Sequence, residues 1–355
     1  MYVNKQQTLA HEIIDLGRLL VILVFALCFV PINGQAAEEN LNFYVTPEFP
    51  DSQVEESSSY FNLNLAAGRT ERLVLKLQNG SNTSKQIQIT PHTAYTNVQG
   101  VVEYGQDAEI PDTSLVYSLA DLIEGPDKVE LAGKETKTVT LTLRMPDEEF
   151  RGFLAGGLRI TELKEEEEST SSSEEGVAIK NEFAYVVGVI VSNSRDVVKP
   201  ELELLDVFAD QLNYRNVISA TIQNFTATFV NRMTVDATVK RKNEDEVLYE
   251  AHEEMMQMAP NSNFNFPISL EGERFRSGNY IIKMKATSGE DEWEWEREFT
   301  IDTETAQELN QADVTIDTSV NWWMIGTFSL IVVLVGIVLY LIIQRKKACE
   351  HKPKD

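Results

Sequence analysis

Apolar residues recur at alternate positions through most of the chain between Tyr60 and Thr300. In Tyr60-Phe61-Asn62-Leu63-Asn64-Leu65 the odd positions are apolar and the even ones mostly polar. Leu73, Leu75 and Leu77 alternate with Val74, Lys76 and Gln78, and Val139, Leu141 and Leu143 alternate with threonines and Arg144. Successive side chains of a strand point to opposite faces, so this period of two predicts half-buried strands of antiparallel sheets with the apolar face inward. Outside the C-terminal apolar run no helical stripe is expected beyond a turn or two at Ala306 to Leu309.

A short internal repeat marks where strands turn. Leu65-Ala-Ala-Gly is followed by Leu73, Leu75 and Leu77; Leu131-Ala-Gly by Val139, Leu141 and Leu143; Met258-Ala-Pro-Asn by Phe266, Ile268 and Leu270. In each copy an apolar residue precedes a tight corner, and inward residues return eight, ten and twelve positions later. Two copies lie in the first half and one in the second. The pattern predicts two immunoglobulin-like β-sandwich domains.

The chain ends bear on location. Lys5 and Arg18 precede the apolar run Leu19 to Val30, and Gly34-Gln35-Ala36-Ala37 follows, the pattern of a secretory signal peptide cut after Ala36 or Ala37. Near the other end Trp322 to Ile343 carries no charge. As a helix it would reach roughly 33 Å, against about 30 Å of bilayer hydrocarbon. Trp322, Trp323 and Tyr340 suit the headgroup level, and Gln344-Arg345-Lys346-Lys347 suits a cytoplasmic edge. The expectation is a single-pass protein of the cell membrane, with a transmembrane helix at 322–343, extracellular domains before it and a cytoplasmic tail at 344–355.

The net charge is −25, and the acidic excess lies in the region between the two ends. That argues against nucleic acid and anionic membrane surfaces as partners. Both cysteines, Cys28 and Cys349, lie outside this region, so no disulfide supports its cores, a habit common on Gram-positive surfaces. The sharpest compositional break is Lys164 to Glu175, a solvated acidic run. It reads as a domain linker or as the loop of a hairpin between Phe153–Leu163 and Phe183–Val191. The hairpin is favoured, because Arg195 to Pro200 then serves as the linker. The expected domains are 1–36 signal, 40–197 and 198–302 sandwiches, and 303–321 a polar stalk.

The only histidines in that region are His92 and His252. His252-Glu253-Glu254-Met255-Met256 has a methionine where a zinc-protease helix needs its second histidine. No catalytic residue, metal or cofactor is expected, although scattered carboxylates leave a wall-polymer hydrolase open. Tyr95, Asn97 and Tyr104 offer the ring faces and amide that a glycan needs; alternatively Asn97 and Gly100 shape a turn and the tyrosines pack. Glu292, Glu294, Glu296 and Glu298 alternate with Trp293, Trp295, Arg297 and Phe299. This is a strand with a tryptophan core and a charged outer face, or a binding face that includes Trp293 and Trp295.

Taken in order, Phe43-Tyr44-Val45-Thr46-Pro47, Tyr60-Phe61, Ala94-Tyr95-Thr96-Asn97 with Gly100 and Tyr104, and Gly152-Phe153-Leu154-Ala155-Gly156-Gly157 resemble the first domain of the WxL-interacting proteins of Gram-positive bacteria. Asn181 to Gly188, Met258 to Phe264 and Trp293-Glu294-Trp295 are similar to that family's second domain. The resemblance implies a non-enzymatic protein with a peptidoglycan-binding domain ending near 164 and a host-binding domain starting near 176. It implies WxL-domain proteins, peptidoglycan and host matrix proteins as partners. The expected function is a membrane-anchored scaffold and adhesin. The alternatives are an assembly chaperone that lends a strand to exported proteins, and the hydrolase.

Overall fold

In a computed structural model, residues 43–54, 59–163, 183–316 and 322–350 are described. The expected signal peptide, the acidic run 164–175 and residues 351–355 lie outside them. The strands in chain order are β1 (Phe43–Glu48), β2 (Phe61–Asn64), β3 (Thr70–Asn79), β4 (Lys85–Thr93), β5 (Tyr95–Thr96), β6 (Val102–Glu103), β7 (Ile123–Glu124), β8 (Lys128–Leu131) and β9 (Thr136–Arg144). They continue with β10 (Leu154–Leu163), β11 (Ala184–Ser192), β12 (Leu202–Leu212), β13 (Arg215–Asn224), β14 (Val230–Arg241), β15 (Val247–Met258), β16 (Ser262–Ser269), β17 (Gly278–Ser288) and β18 (Asp291–Ile301).

Four sheets form two layered pairs. The first pair is β1-β3-β9-β7 with β2-β11-β10-β4-β8; the second is β12-β13-β16 with β15-β14-β17-β18. Alternation does its work here: Leu73, Leu75, Leu77, Leu141 and Leu143 from one sheet are buried, as are Leu63, Ile87, Ile89, Leu158 and Ile160 from the other. The second core gathers Ile218, Ile222, Val235, Val239, Phe266, Ile282 and Met284. One pairing departs from the antiparallel expectation: β2 runs parallel to β11. Side-chain period carries no record of strand direction, so alternation could not announce it. β10 and β11 pair antiparallel across the acidic run, Leu154 opposite Val191 through Thr161 opposite Ala184.

The three repeated corners share one task. Each passes the chain between facing sheets: β2 to β3, β8 to β9, β15 to β16. Leu65, Leu131 and Met258 are buried, and three residues later each chain turns through left-handed backbone, at Gly68 (φ 67°), Lys134 (φ 64°) and Asn261 (φ 49°).

Beyond β18, Asp302 caps helix α1 (Thr303–Ala312) by accepting the Thr305 N–H at 2.8 Å. Ala306 is buried against the second core. Asp313 then takes hydrogen bonds from the N–H of Asn216 (2.7 Å) and of Thr315 (2.7 Å), which fastens residues 303–316 to the end of that sandwich.

The second helix, α2 (Trp322–Glu350), corrects the expectation of a transmembrane helix at 322–343 and with it the single-pass membrane localisation. Among the described residues no helix is long and apolar enough to cross a membrane. The fold class is therefore all-β layers with two helices among the described residues, neither of them a span.

Candidate binding cleft at the joint

Several segments of the first sandwich reach the second, two of them through glycine-containing turns. The short ribbon β5–β6 is closed by a turn in which the Asn97 side-chain oxygen accepts the N–H of Gln99 (3.0 Å) and of Val101 (3.1 Å). Gly100 completes it at φ 67°, and its carbonyl accepts the N–H of Gln257 at 2.7 Å. That left-handed backbone strains any residue with a side chain, and a Cβ on Gly100 would also lie 3.0 Å from Met256 Cβ. Next to it, Thr96 Oγ1 lies 2.6 Å from Ser262 Oγ and accepts the Ala259 N–H at 3.0 Å. The second segment is Gly152-Phe153. Phe153 donates its N–H to Ala227 O at 2.7 Å, and a Cβ on Gly152 would stand 2.0 Å from that same oxygen.

Between these contacts Ala94, Val102, Ala155 and Ala259 are buried together, with Tyr104, Ile190 and Phe229 packed against them. Farther along, Asp112 is 7% exposed and accepts from Gln223 Nε2 (2.9 Å) and Asn263 Nδ2. Burial pushes its carboxyl up, but hydrogen bonds from Ser114, Asn263 and Gln223 outweigh this and hold it below the usual carboxylate range.

Beside the joint opens a cleft of about 650 Å³, lined by Tyr60, Glu103, Tyr104, Val186, Gly188, Ile190, Phe229, Asn231 and Gln257 among others. Burial, and then the neighbouring Tyr60, push the Tyr104 phenol up to about 12, so it stays a neutral donor at any physiological pH. Gln257 Nε2 donates to Asn231 Oδ1 at 3.0 Å. Among the described residues, the Tyr60 and Tyr104 hydroxyls and the Glu103 carboxylate have no hydrogen-bond partner in the protein.

The structure separates the residues singled out from sequence. Tyr104 lines the cleft. Tyr95 sits outside it, its hydroxyl accepting from Gln106 Nε2 at 2.6 Å, and Asn97 is engaged in its own turn. Trp293 and Trp295 lie on β18, half-buried against the second core. The glutamates on the outer face of β18 meet lysines of β17: Lys285 lies 2.8 Å from Glu292 and 3.3 Å from Glu294, and Lys283 lies 3.1 Å from Glu296. His252 sits on strand β15 and its Nδ1 lies 2.6 Å from Asp236. Sequence reasoning missed Glu103, Phe229, Asn231 and Gln257. Glu103 sat between quoted residues; the other three carried no signal, because only folding brings their strands to the cleft.

Two family models match. One described as WxL Interacting Protein, peptidoglycan binding domain, matches residues 43–162; one described as WxL Interacting Protein, host binding domain, matches residues 174–311. No curated protein sequence matches. Similar solved structures include the E. coli chaperone DraB, at 10% identity and TM-score 0.27, over 73% of this chain and 98% of that one. Another is the CsuC-CsuE chaperone-tip adhesion subunit complex of Acinetobacter baumannii, at 13% identity and TM-score 0.28, over 66% and 93%. The class 5 fimbriae chaperone CfaA is a third, at 14% and 0.28, over 73% and 98%. Likenesses of this size carry no argument about partners.

Proposed function

The chain belongs to the WxL-interacting protein family, and from that premise we propose that it is a cell-surface scaffold which binds and does no chemistry. Its partners are peptidoglycan, WxL-domain proteins and, on the outward side, host matrix proteins. The observation that carries this reading is the presence of both family models, in order, on one chain. The joint supports it: two sandwiches held by buried hydrogen bonds present their surfaces at a fixed relation, which suits bridging one partner to another.

We take 43–197 and 198–302 as the two physical units, a division that differs from the border between the family models. The test is retention: purified full chain is mixed with wall sacculi and, separately, with an immobilised WxL-domain protein. Retention by both is expected. Retention by neither, or release of soluble wall fragments during the incubation, rejects the reading.

A further inference from the structure

We propose that the cleft beside the joint is a saccharide site, built by both sandwiches together, for an uncharged sugar chain. The inference rests on the wall-binding reading and gives that binding a place. Size is the first argument: about 650 Å³ lies within the roughly 300–1,000 Å³ usual for small-ligand sites. Chemistry is the second. Tyr60, Tyr104 and Phe229 offer ring faces to the C–H faces of a sugar, while two unpartnered phenols, one unpartnered carboxylate and an amide pair offer donors and acceptors to its hydroxyls. Charge is the third. Among the described residues no lysine or arginine lines the cleft, Glu103 does, and the chain carries −25, which disfavours an anionic ligand.

The polar groups are also held ready. Asn231 is fixed through its side chain by Gln257 and through its carbonyl by Ser288 Oγ at 2.8 Å, and Gln257 is fixed through its own N–H by Gly100. A Cβ on Gly188 would lie 3.3 Å from Tyr60 Cβ, so glycine there leaves room for the ring. Because Tyr104 comes from one sandwich and Asn231 and Gln257 from the other, the site exists only while the joint is closed.

The experiment titrates the purified full chain with a soluble N-acetylglucosamine tetramer by calorimetry, and in parallel with a wall stem peptide. Tyr104→Phe and Asn231→Ala are compared with the parent, alongside their thermal midpoints and their retention on sacculi. The expected result is saturable binding of the sugar, weakened about fivefold or more by either substitution, as for the loss of one hydrogen bond, with midpoints unchanged. Equal sugar affinity in parent and variants overturns the site. Parent binding of the stem peptide alone, lost in the variants, overturns the sugar class. Sacculus retention with no tetramer binding overturns this inference and leaves the wall-binding reading standing; failure of both removes both.

Discussion

Thr96 Oγ1 and Ser262 Oγ lie 2.6 Å apart, although 166 positions separate them in the chain. Both are buried, and the same threonine oxygen satisfies the Ala259 N–H. A hydroxyl in this position gives a buried backbone donor its partner and ties two sandwiches at one point. Apolar burial alone would let the two surfaces slide; directional hydrogen bonds fix their relation.

Replacing Thr96 by valine keeps the shape and removes the acceptor. The Ala259 N–H is then buried without a partner, and stability falls by about 1–3 kcal/mol. Thr96→Ser retains most of it. Urea unfolding of the purified chain checks this; a midpoint unchanged in Thr96→Val contradicts the role given to the hydroxyl.

Strand β11 lies between β2 and β10, yet it falls in the segment matched by the host-binding model. A fragment cut at the family border, 43–162, loses the neighbour of both strands and exposes the apolar edge of β10. It is expected to aggregate or remain unfolded, whereas 43–197 gives dispersed amide resonances and cooperative melting. Equal folding of the two fragments would place the border elsewhere.

The corner after β8 offers a test with opposite signs at adjacent positions. A Cβ on Gly133 would lie 2.2 Å from Asn82 O, a backbone atom that cannot step aside, so Gly133→Ala costs about 1–3 kcal/mol. Lys134 holds φ 64°, which glycine adopts freely, so Lys134→Gly gains up to about 1 kcal/mol, less whatever its side-chain bond to Gly80 O contributes. Thermal melting of both variants measures the difference, and a like sign in the two would refute the account.

Asp112 and Asp313 both titrate below the usual carboxylate value of 3.8 when folded. For Asp313, too, burial acts upward, and hydrogen bonds from Thr315 and Asn216 overcome it. A depressed folded pKa means the unfolded state binds the proton more readily. The stabilisation is therefore complete above the unfolded value and fades as pH falls through the folded one. Asp112→Asn should lower stability most near neutral pH, and the gap to the parent should close in acid. Unfolding midpoints from pH 7 to pH 2 decide; a gap constant with pH excludes the ionised carboxylate as the source.

Much of this was legible before folding. Strand faces and the three corners are local: a period of two and an apolar residue ahead of a turn are written within a dozen positions, and Leu65, Leu131 and Met258 are all buried as the pattern required. The glycines of Gly152-Phe153-Leu154-Ala155-Gly156-Gly157 stand out in the sequence, and a Cβ on Gly156 would lie 2.1 Å from His92 O. What each glycine approaches was not readable, because its neighbour lies far along the chain.

By itself, the sequence determined which faces of which strands turn inward and where corners fall, since these depend on neighbours a few residues away. Only the tertiary structure decided that β2 lies parallel to β11, that Thr96 meets Ser262, and that Tyr104, Asn231 and Gln257 share one cleft. The physical reason is that backbone pairing and buried hydrogen bonds are blind to chain separation: they join whichever partners the packed sheets bring within about 3 Å.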